Sequence, residues 1–342
     1  MDPAATRSLG RTGLEITQYG MGTAPMGNLW ERLPEDKVGA AFRAAYDGGV
    51  RYFDTAPWYG NTQAEHRTGH FLRQCSPKAF ALSTKVGRVY RRPDDPENVP
   101  PGIWAGGLPF VLRFDYSYDA IMRSYEDSLQ RLGLPRVDFL VIHDIDIQYH
   151  GDEAGIERCF DQLEQGGGLK ALQELKSAGD IKGFGAGINE GPMIGRFLDR
   201  CDLDFFLVAM PYTLIDQTPL DDALPRCQAK DIGIVIGSPY ASGILATGPI
   251  EGAKYNYAPA SAEVLEKVRC MQGVCSRHNV PLQAAALQFP LGHPSVAAII
   301  PGSVSAKEVG QNLAWFRKDI PADCWAELKV EGLLRSDAPV PG

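Results

Sequence analysis

The chain has 342 residues, 44% hydrophobic and 22% charged, which excludes a disordered or fibrous protein and supplies ample material for a core. A formal net charge of −8 leaves no basic field to attract phosphate backbones or anionic lipid, so neither nucleic acid nor a membrane surface is expected as a partner. No apolar run approaches the roughly 20 residues needed to span a bilayer. The first residues show no basic stretch followed by an apolar one, and seven scattered cysteines, an odd number, do not form a secreted disulfide framework. A cytoplasmic protein is expected.

The chain opens on a hairpin-like stretch, SLGRTGLEIT, with turn chemistry at Gly10 to Gly13. Short apolar runs then alternate with amphipathic segments. The runs are QYGMGT (18–23), RYFDTA (51–56), FALSTKV (80–86), DFLVIHD (138–144), GFGAGI (183–188), FFLVAMPY (205–212), IGIVIGSPY (232–240) and VAAIIPG (296–302), eight candidate strands. Helical stretches lie between them, at 34–49, 117–133, 169–179 and 261–278, several ending in glycine, the residue favoured just past a helix end.

Nearly continuous apolar strands separated by helices indicate a parallel sheet covered by helices, and eight such units can close into a barrel. A doubly wound sheet fits the alternation less naturally. The expected fold is therefore α/β, a single (β/α)8 TIM barrel over residues 1–342, with an extra C-terminal helix at 321–335. A long Pro, Gly and aromatic stretch at 88–116 follows the third strand, which would put it at the C-terminal face where barrel active sites lie.

Four polar residues belong to that face: Asp54 ending the second strand, Tyr59 five residues on, Lys85 ending the third and His143 ending the fourth. A buried lysine beside a tyrosine favours the phenolate and lowers the tyrosine toward working pH, while a carboxylate holds that lysine charged. A histidine in reach would orient a carbonyl or alcohol oxygen, completing a site for hydride transfer. Singly, each has a plainer role, as a turn cap, a surface charge or a barrel-end histidine; together at successive strand ends they point to chemistry.

Other patterns carry less. His143, Asp144, Asp146 and His150 admit reading as a metal cluster, but the remaining strand ends offer no further histidines, so no metal is expected. GFGAG at 183–187 lacks full dinucleotide-fingerprint spacing and reads as a tightly packed strand. Cys270 and Cys275 read as helix-face thiols, and neither a P-loop nor a GxSxG elbow is present.

With FDTAPWYG, STKVG and VIHD in this order, the chain resembles the aldo-keto reductase family over almost its full length. The resemblance implies a catalytic tetrad of Asp54, Tyr59, Lys85 and His143. It also implies an adenosine site in IIPGSVSAKEVGQNL (299–313). NADP-preferring members place Lys after the Ile-Pro pair and Arg in the first helical turn; here those places hold Gly302 and Glu308, which points to NAD. Ser303, Ser305, Gln311 and Asn312 are then expected on the adenosine, Asn189 on the nicotinamide carboxamide and Ser238 along the cofactor.

Departures stand at Ala209 and Gly237, where the family usually has a glutamine and an aromatic. With SPYASGIL, these features resemble the branch that includes D-threo-aldose 1-dehydrogenases and pyridoxal 4-dehydrogenase, which oxidise a cyclic hemiacetal to a lactone. A small-molecule substrate, an aldose or pyridoxal, is implied, with Trp30, Trp58, Tyr149, His150, Tyr240 and loop aromatics as its walls. Two alternatives stay open: an NADPH-dependent aldehyde or ketone reductase, and a non-catalytic nucleotide-binding subunit.

Overall fold

The computed structural model describes residues 1–342 except 96 and 101. Eight parallel strands form one sheet: β1 Met21–Gly22, β2 Tyr52–Asp54, β3 Ala81–Val86, β4 Phe139–His143, β5 Gly183–Ile188, β6 Phe205–Ala209, β7 Gly233–Gly237 and β8 Val296–Ile300. Each pairs with its neighbour in sequence order, and bridges of Tyr19 to Ile299 and Gly22 to Gly302 join the first and last strands into a ring. The expected barrel is what forms, every strand lying within its anticipated run.

Alternation sorts the side chains. On β2, β3 and β4 the residues Phe53, Leu82, Leu140 and Ile142 pack outward against the helices, whereas Tyr52, Ala81, Phe139 and Val141 fill the barrel interior with Phe205, Leu207 and Val235. GFGAG is a barrel strand: a Cβ on Gly185 would fall 2.2 Å from the Phe205 carbonyl oxygen and 3.1 Å from its ring, so β5 gives up side-chain volume to the backbone and ring of Phe205 on β6. Helices Glu35–Asp47, Gln63–Leu72, Tyr118–Leu132, Gly168–Ala178, Pro192–Arg200 and Ala306–Phe316 are among those that cover the ring. The additional C-terminal helix is Ala322–Val330, shorter than expected.

Strand ends depart from the apolar runs for a local reason. The runs at 205–212 and 232–240 stop as strands at Ala209 and Gly237 because Met210 (φ 80°) and Ser238 (φ 54°) enter the left-handed region, which no ladder continues. Asp144 (φ 50°) ends β4 in the same way. Backbone strain of this kind collects at functional sites, and all three turns stand at one end of the barrel.

The stretch after β3 is not an open loop. Arg88–Arg91 and Val111–Phe114 pair as an antiparallel hairpin, and its far part zips onto the loop after β1, with Trp30 N–H donating to the Ile103 carbonyl at 3.1 Å and Ala105 N–H to Asn28 at 2.8 Å. Positions 96 and 101 of that stretch lie outside the described residues. At the opposite end, the hairpin Thr6–Ser8/Glu15–Thr17 closes the barrel floor, Leu9 and Ile16 joining the interior cluster at 0% and 1% exposure. Leu9→Ala should therefore cost about 2–5 kcal/mol in denaturant unfolding, with kcat of the folded fraction unchanged because the mouth is at the other end.

Candidate active site

Strand parity builds the mouth. The inward rows Ala81, Ser83, Lys85 and Phe139, Val141, His143 each run from deep residues to one ionisable group at the open end, and Tyr52, Asp54 do the same on β2. Tyr59 arrives from the turn before Gln63–Leu72, its N–H bonded to the Ala56 carbonyl at 3.2 Å.

The four groups meet. Lys85 Nζ donates to Asp54 Oδ2 at 2.5 Å, both residues 2% exposed, and to the Thr55 carbonyl at 2.9 Å. Asp54 Oδ1 accepts from Ser83 Oγ at 2.7 Å. Nζ lies 4.8 Å from the centre of the Tyr59 ring, and His143 stands edge-on to that ring at 5.9 Å between centroids.

The charge balance differs from the expected lowered tyrosine. Burial, then Asp54 and Asp144, push the Tyr59 phenol well above its ordinary value, against the opposing cation Arg88. Arg88, rather than Lys85, is the cation set against this rise, and it does not outweigh burial and the two carboxylates. Burial, with Arg88 and Lys85, holds His143 well below the ordinary imidazole value, so the ring is neutral.

A cavity of about 310 Å³ opens over Tyr59, Lys85 and His143. Trp58 forms its aromatic wall with Trp104 at 5.2 Å and Tyr149 at 5.6 Å between centroids, both edge-on. Trp30 stands at the rim, with Lys254 Nζ 4.6 Å from its ring. Of the residues expected on the substrate, Trp30, Trp58 and Tyr149 line this cavity; His150 and Tyr240 do not. His150 turns away, its Nε2 within 3.2 Å of Tyr116 Oη and 3.1 Å of the Asp144 carbonyl, and its Nδ1 3.3 Å from Cys159 Sγ. Tyr240 instead donates to Asn312 Oδ1 at 2.8 Å.

From Asp54 and Tyr59 a groove runs past Ser238, Tyr257 and Gly302, and a recess beyond it is bordered by Ser238, Tyr240, Gly302, Glu308, Gln311 and Asn312. Gly302 lies where the two meet: a Cβ there would fall 2.7 Å from Pro25 Cγ, so bare backbone is what fits. Ser303 and Ser305 do not line the groove or the recess. Ser305 caps the helix Ala306–Phe316 by accepting from Glu308 N–H at 3.3 Å, and Ser303 accepts from Asn312 Nδ2 at 3.0 Å. Glu308 returns the cap, accepting from Val304 N–H at 2.9 Å. Asn189 lines the substrate cavity, its Nδ2 donating to Asp144 Oδ1 and Asp146 Oδ2 at 3.1 Å each.

Three residues at the mouth escaped the sequence reading as parts of a substrate site. Arg88, 1% exposed, donates to Asp144 Oδ2 at 2.7 Å; its signal was a charged residue three places after Lys85. Asp144 lines the cavity; in the sequence it entered only the metal cluster that was set aside. Tyr257, from the small hairpin after β7, borders both cavity and groove, and no periodicity marks it. Among the described residues, no three His, Cys, Asp or Glu side chains are arranged to hold a metal.

The model of the Aldo/keto reductase family matches residues 19–330. The chain belongs to the aldo-keto reductase family. Pyridoxal 4-dehydrogenase of Microbacterium luteolum is 42% identical, the alignment covering 96% of this chain and 97% of that protein. A D-threo-aldose 1-dehydrogenase of a Pseudomonas species is 35% identical, over 97% and 98%. An aldo-keto reductase from Bacillus halodurans in its holo form shares the fold, with a TM-score of 0.73 at 21% identity over 97% of both chains. This aldo-keto reductase is thus an oxidoreductase of a family that uses nicotinamide cofactors, and no helix among the described residues is long and apolar enough to cross a membrane.

The buried pair yields a stability test. Asp54→Ala leaves the Lys85 ammonium uncompensated and should cost about 3–5 kcal/mol in denaturant unfolding. The double change Asp54→Ala, Lys85→Met should recover much of that loss and none of the activity. A double variant no more stable than Asp54→Ala would show that the pair carries no such penalty.

Proposed function

We propose that this aldo-keto reductase oxidises the cyclic hemiacetal form of a small substrate to a lactone with NAD. The observation that carries the cofactor choice is the recess at the helix Ala306–Phe316, bordered by Glu308 and by a glycine with no room for a side chain. A 2′-phosphate there would meet a carboxylate where a cation is needed, forfeiting a charge-assisted bond worth roughly 1.5–3 kcal/mol. Ser238, Gly302, Gln311 and Asn312 would border the dinucleotide, and Lys254 brings a positive charge to the groove nearer the cavity.

For the substrate, the cavity presents Trp30, Trp58, Trp104, Tyr149 and Tyr257 against few hydrogen-bonding groups, chiefly Asp144, Gln148 and Asn189. Flat apolar walls favour a pyridine ring over a polyhydroxylated sugar. The name of the relative at 42% identity agrees with pyridoxal, and that of the one at 35% with an aldose. Seven cysteines without a disulfide fit the reducing cytoplasm, and residues 1–342 are read as one barrel domain.

When bound, NAD supplies an acceptor for the hydride of the substrate carbon, and its ring carries a positive charge that favours a nearby phenolate. Tyr59 takes the proton of the substrate hydroxyl. Asp54 and Lys85 hold Tyr59 in place, and His143, neutral, donates to the same oxygen. Trp58 and Tyr149 fix the plane of the ring.

Initial rates of NADH formation with pyridoxal, L-fucose, L-galactose and D-arabinose, repeated with NADP, test the reading. An NAD-linked rate highest with pyridoxal is expected; activity confined to NADPH and carbonyl compounds would overturn it. Tyr59→Phe should bind NAD normally in a fluorescence titration while kcat falls about 10²- to 10⁴-fold. Glu308→Arg should shift the NADP to NAD ratio of kcat/KM upward by about tenfold or more.

A further inference from the structure

We propose that Arg88 and Asp144 act together as a positioning pair that fixes His143 as its Nε2–H tautomer, the form that donates to a substrate oxygen. The proposal rests on the reading of His143 as a catalytic group. Asp144 follows His143 directly, and its left-handed backbone (φ 50°) turns its carboxylate back beside the preceding ring, Oδ2 standing 3.2 Å from Nε2. An ionised carboxylate accepts and never donates, so the nitrogen facing it is favoured as N–H.

The other ring nitrogen points the same way. Nδ1 is buried without a partner, so a proton there would be an orphaned donor while a bare Nε2 lone pair faced a negative oxygen. A proton on Nε2 removes the repulsion and leaves Nδ1 a bare acceptor, an orphan that buried sites tolerate better than an N–H. A substrate oxygen entering the cavity would then find a donor already in place.

Asp144 is itself held from both sides. Arg88 donates to Oδ2 at 2.7 Å and Asn189 to Oδ1 at 3.1 Å. The Arg88 guanidinium lies 4.0 Å from the Trp58 ring centre and 4.5 Å from that of Tyr149, so aromatic faces replace water around a charge that is 1% exposed. A planar guanidinium can stack and hydrogen-bond at once, which an ammonium cannot do as well.

The charges facing His143 are Arg88 and Lys85 on one side of the balance and Asp144 on the other, with Asp54 neutralising Lys85, Tyr59 and Trp58 packed on the ring, and Asp146 behind Asn189. Burial raises Asp144 against the pull of Arg88 and Lys85. Removing the Arg88 charge would take a cation away from the imidazole and leave Asp144 without its main partner. Both changes favour a protonated ring, so the acid limb of the pH–kcat profile moves to higher pH.

The test combines nitrogen NMR of protein labelled at histidine, with His143→Gln for assignment, and pH profiles of kcat. Wild type should show the neutral Nε2–H signature. Asp144→Gly, which suits the left-handed backbone and removes the acceptor, should lose that signature and lower kcat about 10- to 100-fold with a smaller change in KM. Asp144→Asn, a neutral acceptor, should fall between. Arg88→Met should move the acid limb up by about one pH unit, and Arg88→Lys should restore it.

Asp144→Gly with an unchanged nitrogen signature and near-wild-type kcat would overturn the proposal, as would an Arg88→Met profile that does not move. Absence of turnover by wild type on every substrate would instead sink the catalytic reading, and the nitrogen spectra would still decide the tautomer.

Discussion

A lysine ammonium cannot remain charged inside a barrel without a partner, and strand parity leaves Lys85 pointing inward. Its partner comes from the adjacent strand, where Asp54 lies opposite Ser83 in the β2–β3 register. Ser83 and the Thr55 carbonyl satisfy what remains of the two groups, and Tyr52 in turn meets Ser83 at 3.0 Å. The same backbone that pairs the charges carries on into the turn holding Tyr59. The position of the phenol therefore depends on an ion pair whose value is placement rather than stability.

A second ion pair, Arg88 with Asp144, stands at the mouth close to Tyr59 and His143. Burial above all, with the facing charges, leaves the phenol protonated and the imidazole neutral, and with both ion pairs internally compensated the unliganded mouth carries little net charge where a hydride would move. Such a site responds strongly to any charge a ligand brings, because the surroundings are dry and already committed to each other. Trp58 links the pairs mechanically, touching Arg88 on one face and meeting Trp104, Tyr149 and His143 edge-on.

The barrel was readable from the sequence because eight buried parallel strands leave eight apolar runs, and Asp54, Lys85 and His143 were readable because strand ends converge in a closed ring. Proximity in sequence does not give direction, however. His150 sits seven residues past His143, yet the short helix Ile147–His150 carries its ring toward Tyr116 and Cys159. Tyr240 leaves β7 toward Asn312 rather than the cavity. Arg88 and Tyr257 were hidden for the opposite reason: hairpins that follow β3 and β7 return over the mouth, and return paths leave no periodic trace.

Glu308 shows how one side chain can be both scaffold and selector. Capping and cofactor recognition look like rival explanations for an acidic residue at the third position of a helix. Here the cap fixes the carboxylate through the Val304 N–H, and the fixed carboxylate is also the one bordering the recess. A freely rotating glutamate could swing away from an incoming phosphate; one tied to the backbone has to break its cap to do so. The hydrogen bond that ends the helix thereby sharpens the discrimination proposed for the recess, and Gly302, closed in by Pro25, removes the other place from which a cation would answer it.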